Sequence, residues 1–258
     1  MSSIPRAVLD KLRKFDTPTI CNAIELFEVR AHNSGYMDAR IKACFPEMPP
    51  MVGFAATATF RASAPPREGD AYASLETQIE RFEELYQPPI VVFQDVDDPP
   101  VAATFGEVMC TAYQAFGAVG LITSGAGRDL EQVRALNFPV FTNGSICSHG
   151  YNHIPQVQVP VRVGGVVVNP NDLLHGDLNG VTIIPHAIAA EVADIGDEFV
   201  AAERILLDAL RSPADAGRSP AYTGQSKTPS LNELRDARAE ARAIMHQLRA
   251  RVSRTRGA

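Results

Sequence analysis

The stretch GAVGLITSGAGRD, residues 117–129, carries the strongest structural signal in this chain. Its first seven residues are apolar or small and predict a buried strand, and Ser124-Gly125-Ala126-Gly127 predicts the tight loop that follows. Arg128 and Asp129 stand at the mouth of that loop, where a helix is predicted to begin. A carboxylate is a hard oxygen ligand for a divalent cation, and a guanidinium is a planar fork for a carboxylate. The pair therefore indicates a site for a metal ion and a small anionic substrate.

A second segment points to the same kind of site. Phe105-Gly106-Glu107-Val108-Met109 opens a predicted helix, and twenty residues separate Glu107 from Arg128. The first amides of a helix have no partner within it, and they lie at the positive end of its dipole. A first-turn glutamate alone is common in helices. Because both segments follow predicted strands, together they indicate one shared site.

The surrounding sequence predicts an α/β fold. The expected strands are 53–60, 89–93, 101–104, 117–123 and 139–142, and the expected helices are 70–86, 106–116 and 129–136. This alternation is typical of βαβ units with crossover helices. Valines then recur at every second position from 157 to 163, and strands follow at 166–168 and 181–184. The second half is therefore predicted to be strand-rich, and antiparallel or barrel-like.

Helices are expected at both ends of the chain. The first thirty residues predict two short helices, the second with Thr17 as its N-cap and Pro18 at its first position. A helix is predicted at 186–210, a Pro/Gly/Ser-rich break at 212–230, and a charged, Ala-rich helix at 231–252. We therefore expect one domain over residues 1–210, followed by a linker and a helical arm over 211–258. The arm could pack on its own domain or reach a neighbouring subunit.

Composition excludes several classes of protein. The chain has 258 residues, of which 45% are hydrophobic and 21% charged, as in an ordinary soluble globular protein. A net charge of -6 argues against nucleic acid as a partner, and no apolar run approaches a membrane span. No hydrophobic signal core follows the N-terminus. The four cysteines are far apart and form no CxxC pair, which indicates free thiols and a cytoplasmic protein.

Other polar motifs have weaker functional signals. Asp172 and Asp177 could be ligands, but Asn and Asp beside Gly are equally typical of tight turns. His149 and His153 have the spacing of a zinc pair, yet the glycine and proline around them disfavour a helix. The glycines at 125 and 127 lack the third glycine of a dinucleotide fingerprint. We interpret them as positions where backbone amides approach a ligand closely.

These motifs together resemble the RraA-like family, which includes divalent-metal-dependent 4-hydroxy-4-methyl-2-oxoglutarate / 4-carboxy-4-hydroxy-2-oxoadipate aldolases. The motifs are Gly106-Glu107, Arg128-Asp129, Asn171-Asp172, Gly176-Asp177, Gly180-Val181 and Pro185, and the resemblance runs from about Thr17 to about Leu210. The family usually has Asp where this chain has Glu107, Gly where it has Asn171, and Asp where it has Asn179. These departures bear on the identity of the substrate more than on the position of the site.

The resemblance implies a role for each site residue. Asp129 would bind Mg²⁺ or Mn²⁺, mostly through a shell of water, and Arg128 would hold the substrate carboxylate or oxyanion. Glu107 would also position a water molecule of the cation's shell. The substrate's pyruvyl carboxylate would be cradled by the backbone amides of Gly106, Glu107, Val108 and Met109.

The resemblance also implies a fold and an assembly. It predicts a single β/β/α layered domain of the swivelling-domain type, with a C-terminal helical extension, that assembles as a homotrimer or hexamer. In such enzymes an acid from a neighbouring subunit helps to complete the site, and Glu198 or Glu203 could supply it.

The implied reaction is cleavage of a 4-hydroxy-2-oxo acid to pyruvate through a metal-stabilised enolate, with oxaloacetate decarboxylation as a side activity. The site motifs contain no lysine, which disfavours a Schiff base. Two alternatives remain open. One is a non-catalytic, RraA-type regulator that binds a ribonuclease, and the other is a lyase or hydratase that acts on a sugar-derived 2-oxo acid.

Overall fold

Residues 4–67, 71–210 and 230–256, which the computed structural model describes, contain seven α-helices and thirteen strands. The helices are α1 (Arg6–Leu12), α2 (Thr17–Glu25), α3 (Ala71–Glu80), α4 (Glu107–Ala115), α5 (Leu130–Ala135), α6 (Ala189–Leu210) and α7 (Leu231–Arg256). The strands are β1 (Lys42–Ala43), β2 (Met51–Arg61), β3 (Pro89–Asp95), β4 (Ala103–Phe105), β5 (Leu121–Thr123), β6 (Ala126–Gly127), β7 (Val140–Thr142), β8 (Gly144–Ser145), β9 (His153–Val157), β10 (Val161–Val163), β11 (Val166–Val168), β12 (Leu173–Asp177) and β13 (Gly180–Ile184).

The main sheet is built around the long strand β2. Its order is β1-β7-β5-β3-β2-β12-β13, and β9 pairs with the second half of β2. Strands β7, β5, β3 and β2 are parallel, whereas β1, β9, β12 and β13 pair antiparallel. The predicted βαβ alternation and the antiparallel second half are both confirmed. All residues of β2 except its last are buried, because both faces of this strand are covered.

A second, small parallel sheet continues from the carboxyl ends of the main strands. Its order is β4-β6-β8, where β6 follows β5 after two residues and β8 follows β7 after one. In its register Phe105 lies opposite Gly127. The residues that follow them, Gly106 and Arg128, therefore leave the sheet side by side, which positions the candidate site.

Side chains on the two faces of the main sheet enter different cores. On one face Ala56, Ala58 and Phe60 of β2 pack with residues of α3, α4 and α5. On the other face Ala55 packs with valines of the β10–β11 hairpin. The hairpin, sheet and helices thus form the predicted β/β/α layered domain, which is confirmed. The helices α1, α2, α6 and α7 build a third cluster around the start of β2.

Three predicted strands have different bounds in the structure. The valine run 157–163 divides into β9 and β10, because Gln158 adopts a positive φ of 54° and turns the chain between them. The strand expected at 117–123 begins only at Leu121, since the Ala118 amide still donates to the Tyr113 carbonyl at the end of α4. The strand expected at 101–104 is shifted to β4 and joins the small sheet instead of the main one.

The C-terminal helix packs on its own chain. Leu248 and Val252 of α7 are buried in the cluster that α6 also lines, and Arg251 donates to both oxygens of Glu198 at 2.7 and 3.1 Å. The predicted helix at 231–252 is confirmed and extends to Arg256. The predicted break at 212–230 lies outside the described residues except for Ser230, and the boundary after residue 210 stays a prediction.

None of the helices in the described ranges is long and apolar enough to cross a membrane. All four cysteines lie within those ranges, and each is a free thiol.

The start of α2 differs from the prediction by one residue. Asp16, not Thr17, is the N-cap, and its Oδ1 accepts a hydrogen bond of 2.8 Å from the Thr19 amide. We expect Asp16→Ala to lower the free energy of unfolding by about 1 kcal/mol, since the amide would lose its partner. Urea denaturation measures this, with Asp10→Ala as the control because Asp10 has only exposed ion pairs with Arg6 and Arg13. Equal losses in the two variants would contradict the capping role.

A buried histidine ties α1 and α2 to β12. His175 Nδ1 accepts from the Thr17 hydroxyl at 2.9 Å, and Nε2 donates to the Leu12 carbonyl at 3.2 Å. Burial lowers the pKa of His175 to about 4. Between that value and about 6.5, its value when unfolded, only the unfolded chain binds this proton. Stability contributed by neutral His175 is therefore complete above pH 6.5 and is lost as the pH falls toward 4.

The measurement is the stability gap between the wild type and His175→Gln at pH 7 and at pH 5. We expect the gap to shrink by on the order of 2 kcal/mol at pH 5. The comparison with a variant is needed because Asp95 acts in the opposite direction: burial raises its pKa to about 6, so protonation there favours the fold. A gap that stays constant with pH would show that His175 is not the titrating group.

Candidate functional site

The structure brings the two predicted segments together at the start of α4. The Arg128 amide donates to the Phe105 carbonyl at 3.1 Å, which places the Arg-Asp pair beside Gly106. Asp129 Oδ2 then accepts a hydrogen bond of 3.2 Å from the Glu107 amide and lies 3.6 Å from Arg128 Nε. One carboxylate oxygen is thus held between the first amide of a helix and a guanidinium.

The backbone of Asp129 is what turns its carboxylate toward α4. Asp129 is the N-cap of α5 and adopts the left-handed region, with φ 54° and ψ 38°. Its side chain does not cap α5, although its carbonyl accepts from the Val133 amide at 2.9 Å. Asp and Asn tolerate this conformation better than most residues because their short polar side chains can hydrogen-bond locally. This backbone conformation therefore directs the Asp129 carboxylate from the start of α5 toward the start of α4.

Gly106 allows the close approach of these groups. A Cβ atom at this position would lie 2.6 Å from Asp129 Oδ2 and 3.1 Å from Arg128 Nε. Its φ of -158° is extended backbone that any residue adopts, so the requirement for glycine is one of space alone. The sequence signal for this role was the glycine directly before Glu107.

The site is open to solvent. The side chains of Arg128 and Asp129 are 34% and 37% exposed, Glu107 is exposed, and Val108 is 60% exposed. Beneath them Cys110 is buried, and burial raises the pKa of its thiol well above the usual range. A thiol held neutral in this way is not a nucleophile. The groups that a small anion can reach are therefore the amides of the first turn and the Arg-Asp pair.

The carboxylate groups at this site suit a metal ion that keeps most of its coordinated water. Among the described residues, no group of three His, Cys, Asp or Glu side chains is arranged to hold a metal ion. A zinc site with three protein ligands is thus not present in that part of the chain. Mg²⁺ commonly binds through one or two carboxylates together with waters and substrate oxygens. Asp129, with one oxygen oriented by the Glu107 amide, meets that requirement.

The acids of the 169–180 segment have structural roles. Asp172 Oδ2 accepts from the Asn169 amide at 2.7 Å, which closes a tight turn. Asp177 Oδ2 accepts from the Thr17 amide at 2.9 Å and Oδ1 from the Asn179 amide at 2.8 Å. The turn interpretation of these residues is confirmed.

Neither Glu198 nor Glu203, the two acids of α6 that the resemblance suggested, is brought to the site within this chain. Both oxygens of Glu198 accept from Arg251, and Glu203 Oε1 accepts from Asn22 Nδ2 at 3.4 Å. Burial raises the pKa of Glu203. These side chains lie where α6 packs on α7 and α2, whereas the candidate site lies at the starts of α4 and α5.

The loop glycines serve packing within the protein. A Cβ atom on Gly125 would lie 2.5 Å from Asp95 Oδ2 and from Thr104 Cγ2, and one on Gly127 would enter the Phe105 ring. The Gly125 amide donates to Thr123 Oγ1 at 3.0 Å. The interpretation that these glycines admit a ligand is therefore wrong, because protein atoms occupy that space.

The β/β/α layered domain and the Arg-Asp pair at a helix start are the features on which the sequence resemblance was based. The sequence matches the family model described as RraA-like, Aldolase/RraA, over residues 17–183, which is more than half of the chain. This protein belongs to the RraA-like family.

Similar proteins agree with that assignment. A Halalkalibacterium halodurans protein, provisionally named 4-hydroxy-4-methyl-2-oxoglutarate aldolase, is 34% identical over 118 residues, which are 45% of this chain and 54% of that protein. The alignment thus spans about half of the relative's length.

Two solved structures share the fold. The structure of an uncharacterized Pseudomonas syringae protein has a TM-score of 0.67 at 21% identity and covers 92% of this chain and 95% of its own. Streptomyces coelicolor RraAS2, described as an unusual member of the RNase ES inhibitor RraA family, has a TM-score of 0.63 at 21% identity, over 82% of this chain and 100% of its own.

Proposed function

We propose that this protein is a divalent-metal-dependent lyase that cleaves a 4-hydroxy-2-oxo acid to pyruvate. One observation carries the proposal: Asp129 Oδ2 lies 3.2 Å from the Glu107 amide and 3.6 Å from Arg128 Nε. A ligand for a hard cation, a cationic fork and helix-start amides are thereby gathered at one exposed point. A 2-oxo acid offers adjacent carboxylate and ketone oxygens, which match those three partners.

Binding of the pyruvyl end follows from the donors. The amides of Val108 and Met109, in the first turn of α4, have no partner within the helix and can donate to a carboxylate. Arg128 adds a charge-assisted hydrogen bond to the substrate's carboxylate or oxyanion. Asp129 would hold Mg²⁺ or Mn²⁺. When bound, such a cation supplies Lewis-acid stabilisation of negative charge on the 2-oxo oxygen.

Cleavage requires a proton acceptor near the other end of the substrate. The bond between C3 and C4 breaks, its electron pair passes to the pyruvyl fragment as an enolate, and the 4-hydroxyl proton leaves. Glu107 is the exposed carboxylate beside the donors, and we assign to it the acceptance of this proton, directly or through one water. Protonation of the enolate at C3 then gives pyruvate. The two site segments contain no lysine that could form a Schiff base.

The same site supports decarboxylation. Loss of CO₂ from oxaloacetate leaves the same pyruvyl enolate, so the donors that stabilise one reaction stabilise the other. We therefore propose oxaloacetate decarboxylation as a side activity.

We further propose a cytoplasmic homotrimer or hexamer in which a second copy closes the open side of the site. Val108 and Phe116 at the two ends of α4 are 60% and 63% exposed, which supports a contact along this helix.

Pyruvate release tests the proposal. We expect pyruvate from oxaloacetate and from 4-hydroxy-4-methyl-2-oxoglutarate in the presence of Mg²⁺ or Mn²⁺, and a fall to the protein-free rate after EDTA. A lactate dehydrogenase-coupled assay measures it, and re-addition of the metal is the control for EDTA damage. No pyruvate from either substrate, together with no binding of Mn²⁺, would reject the lyase in favour of a binding protein. Metal binding without pyruvate would instead indicate another 2-oxo acid as substrate.

A further inference from the structure

A cavity lies on the face of the main sheet that the β10–β11 hairpin covers. It has a volume of about 320 Å³ and lies beyond the carboxyl ends of β3, β5 and β7, where Asp95, Ser124 and Asn143 line it. The hairpin β10–β11 contributes Arg162 and the turn glycines 164 and 165. This hairpin covers one face of the sheet, whereas α4 and α5, which begin at the candidate lyase site, pack on the other. Crevices at the carboxyl ends of parallel strands are where α/β proteins commonly bind ligands.

Two of the charged side chains that line this cavity already have hydrogen-bond or ion-pair partners within the protein. Asp97 Oδ2 accepts from the amides of Ala62 and Ser63 at 2.7 and 2.9 Å, and these bonds hold the pKa of Asp97 below its usual range. Arg40 pairs with Asp38 at 2.7 Å. Neither Asp97 nor Arg40 therefore requires a ligand as a partner.

Three other charged side chains line the cavity: Arg162, Asp98 and Asp95. Neither the guanidinium of Arg162 nor the carboxylate of Asp98 has an ion pair or hydrogen bond with any described residue, and both line the cavity. The Arg162 backbone is nevertheless fixed, because its amide donates to Gln94 Oε1 at 2.7 Å. The cavity therefore presents one cation on the hairpin and acids on the opposite loop.

Asp95 is the buried member of this set. Its side chain is only 8% exposed, and its Oδ1 accepts from the Asp97 amide at 3.0 Å. Asp95 lines the cavity, and its Oδ2, which lies close to Gly125, accepts no hydrogen bond from any described residue. Burial raises the pKa of Asp95 to about 6, and a cationic donor at the cavity would favour its ionised form.

We propose that this cavity binds a small zwitterion with one carboxylate and one ammonium group, that is, a free amino acid. The carboxylate would meet Arg162, and the ammonium group would donate to Asp95 and Asp98. The two acids would repel a simple anion, and Arg162 would repel a simple cation. The volume suits a compound of amino-acid size. This site shares no residue with Glu107, Arg128 and Asp129, and the inference does not depend on lyase activity.

Amide chemical shifts of the full-length protein test the proposal. The twenty standard amino acids are added one at a time to ¹⁵N-labelled protein, and the signals of Gly164 and Gly165 are followed. We expect at least one amino acid to move these signals saturably, while its analogues that lack either the ammonium or the carboxylate do not. No shift with any amino acid, or shifts confined to residues 107–109, would overturn the proposal.

Substitution of Arg162 gives a second test of the proposal. Arg162→Gln is expected to weaken binding of that amino acid at least tenfold, or about 1.4 kcal/mol. Arg204→Gln, a surface change on α6, is the matched control and is expected to leave the affinity unchanged. Equal affinity in the wild type and Arg162→Gln would overturn the assignment. Asp95→Asn adds a third variant, but the conclusion stands on Arg162→Gln if that buried substitution prevents folding.

Discussion

Replacement of Asp129 with asparagine is expected to lower kcat/KM for metal-dependent pyruvate release by about a thousandfold, or roughly 4 kcal/mol of transition-state stabilisation. Asparagine is the informative change because it tolerates the left-handed backbone at φ 54° and keeps one oxygen for the Glu107 amide. Only the negative charge of the proposed metal ligand is removed. Asp129→Ala would remove the charge as well but would also strain the start of α5.

Steady-state assays with Mg²⁺ and titration of Mn²⁺ by electron paramagnetic resonance measure the two effects separately. Glu131→Gln is the control, because Glu131 is another acid in the first turn of the same helix. It should retain both activity and metal affinity. Full activity in Asp129→Asn at saturating Mg²⁺ would show that Asp129 is not the metal ligand. That result would contradict the proposed mechanism.

Gly106→Ala is expected to lower kcat/KM by about a hundredfold without unfolding the protein. The new methyl group would lie 2.6 Å from Asp129 Oδ2, so the carboxylate must move by several tenths of an ångström or more. Small displacements of catalytic groups have effects of about this size. Because φ at Gly106 is extended, alanine adds no backbone strain, and the melting temperature should change little.

Gly144→Ala is the matched control. Gly144 lies in the same small sheet, and a Cβ atom there would meet nothing within 4 Å. Activity that falls equally in both variants would indicate a general disturbance of this sheet, and unchanged activity in Gly106→Ala would separate Gly106 from the site.

Local patterns in the sequence were sufficient for the order of helices and strands and for the starts of α4 and α5. The Gly106-Glu107 and Arg128-Asp129 segments could be paired because each follows a strand, and strands that share a direction end at the same edge. The layered arrangement itself came from the family resemblance. Periodicity alone indicated only that βαβ units precede a strand-rich half.

Features set by long-range contacts could not be obtained in this way. The αL backbone of Asp129 accompanies a hydrogen bond from the Glu107 amide, twenty-two residues away in the chain, to its carboxylate. The purpose of Gly125 and Gly127 depends on Asp95, Thr104 and Phe105, which no local pattern connects to them. The contact of the Thr17 hydroxyl with His175, 158 positions away, is likewise invisible to a local pattern.

The register that sets Phe105 opposite Gly127 has a consequence for how such a site can diverge. The proposed anion site consists of main-chain amides that follow two neighbouring strands, together with the side chains of Asp129 and Arg128. Outward-facing side chains of the first turn of α4, such as the exposed Val108, can therefore change without disturbing these main-chain donors. The main-chain part of the proposed site and the side chains at its rim can therefore diverge separately, so that specificity can change at the rim while the main-chain donors keep their positions.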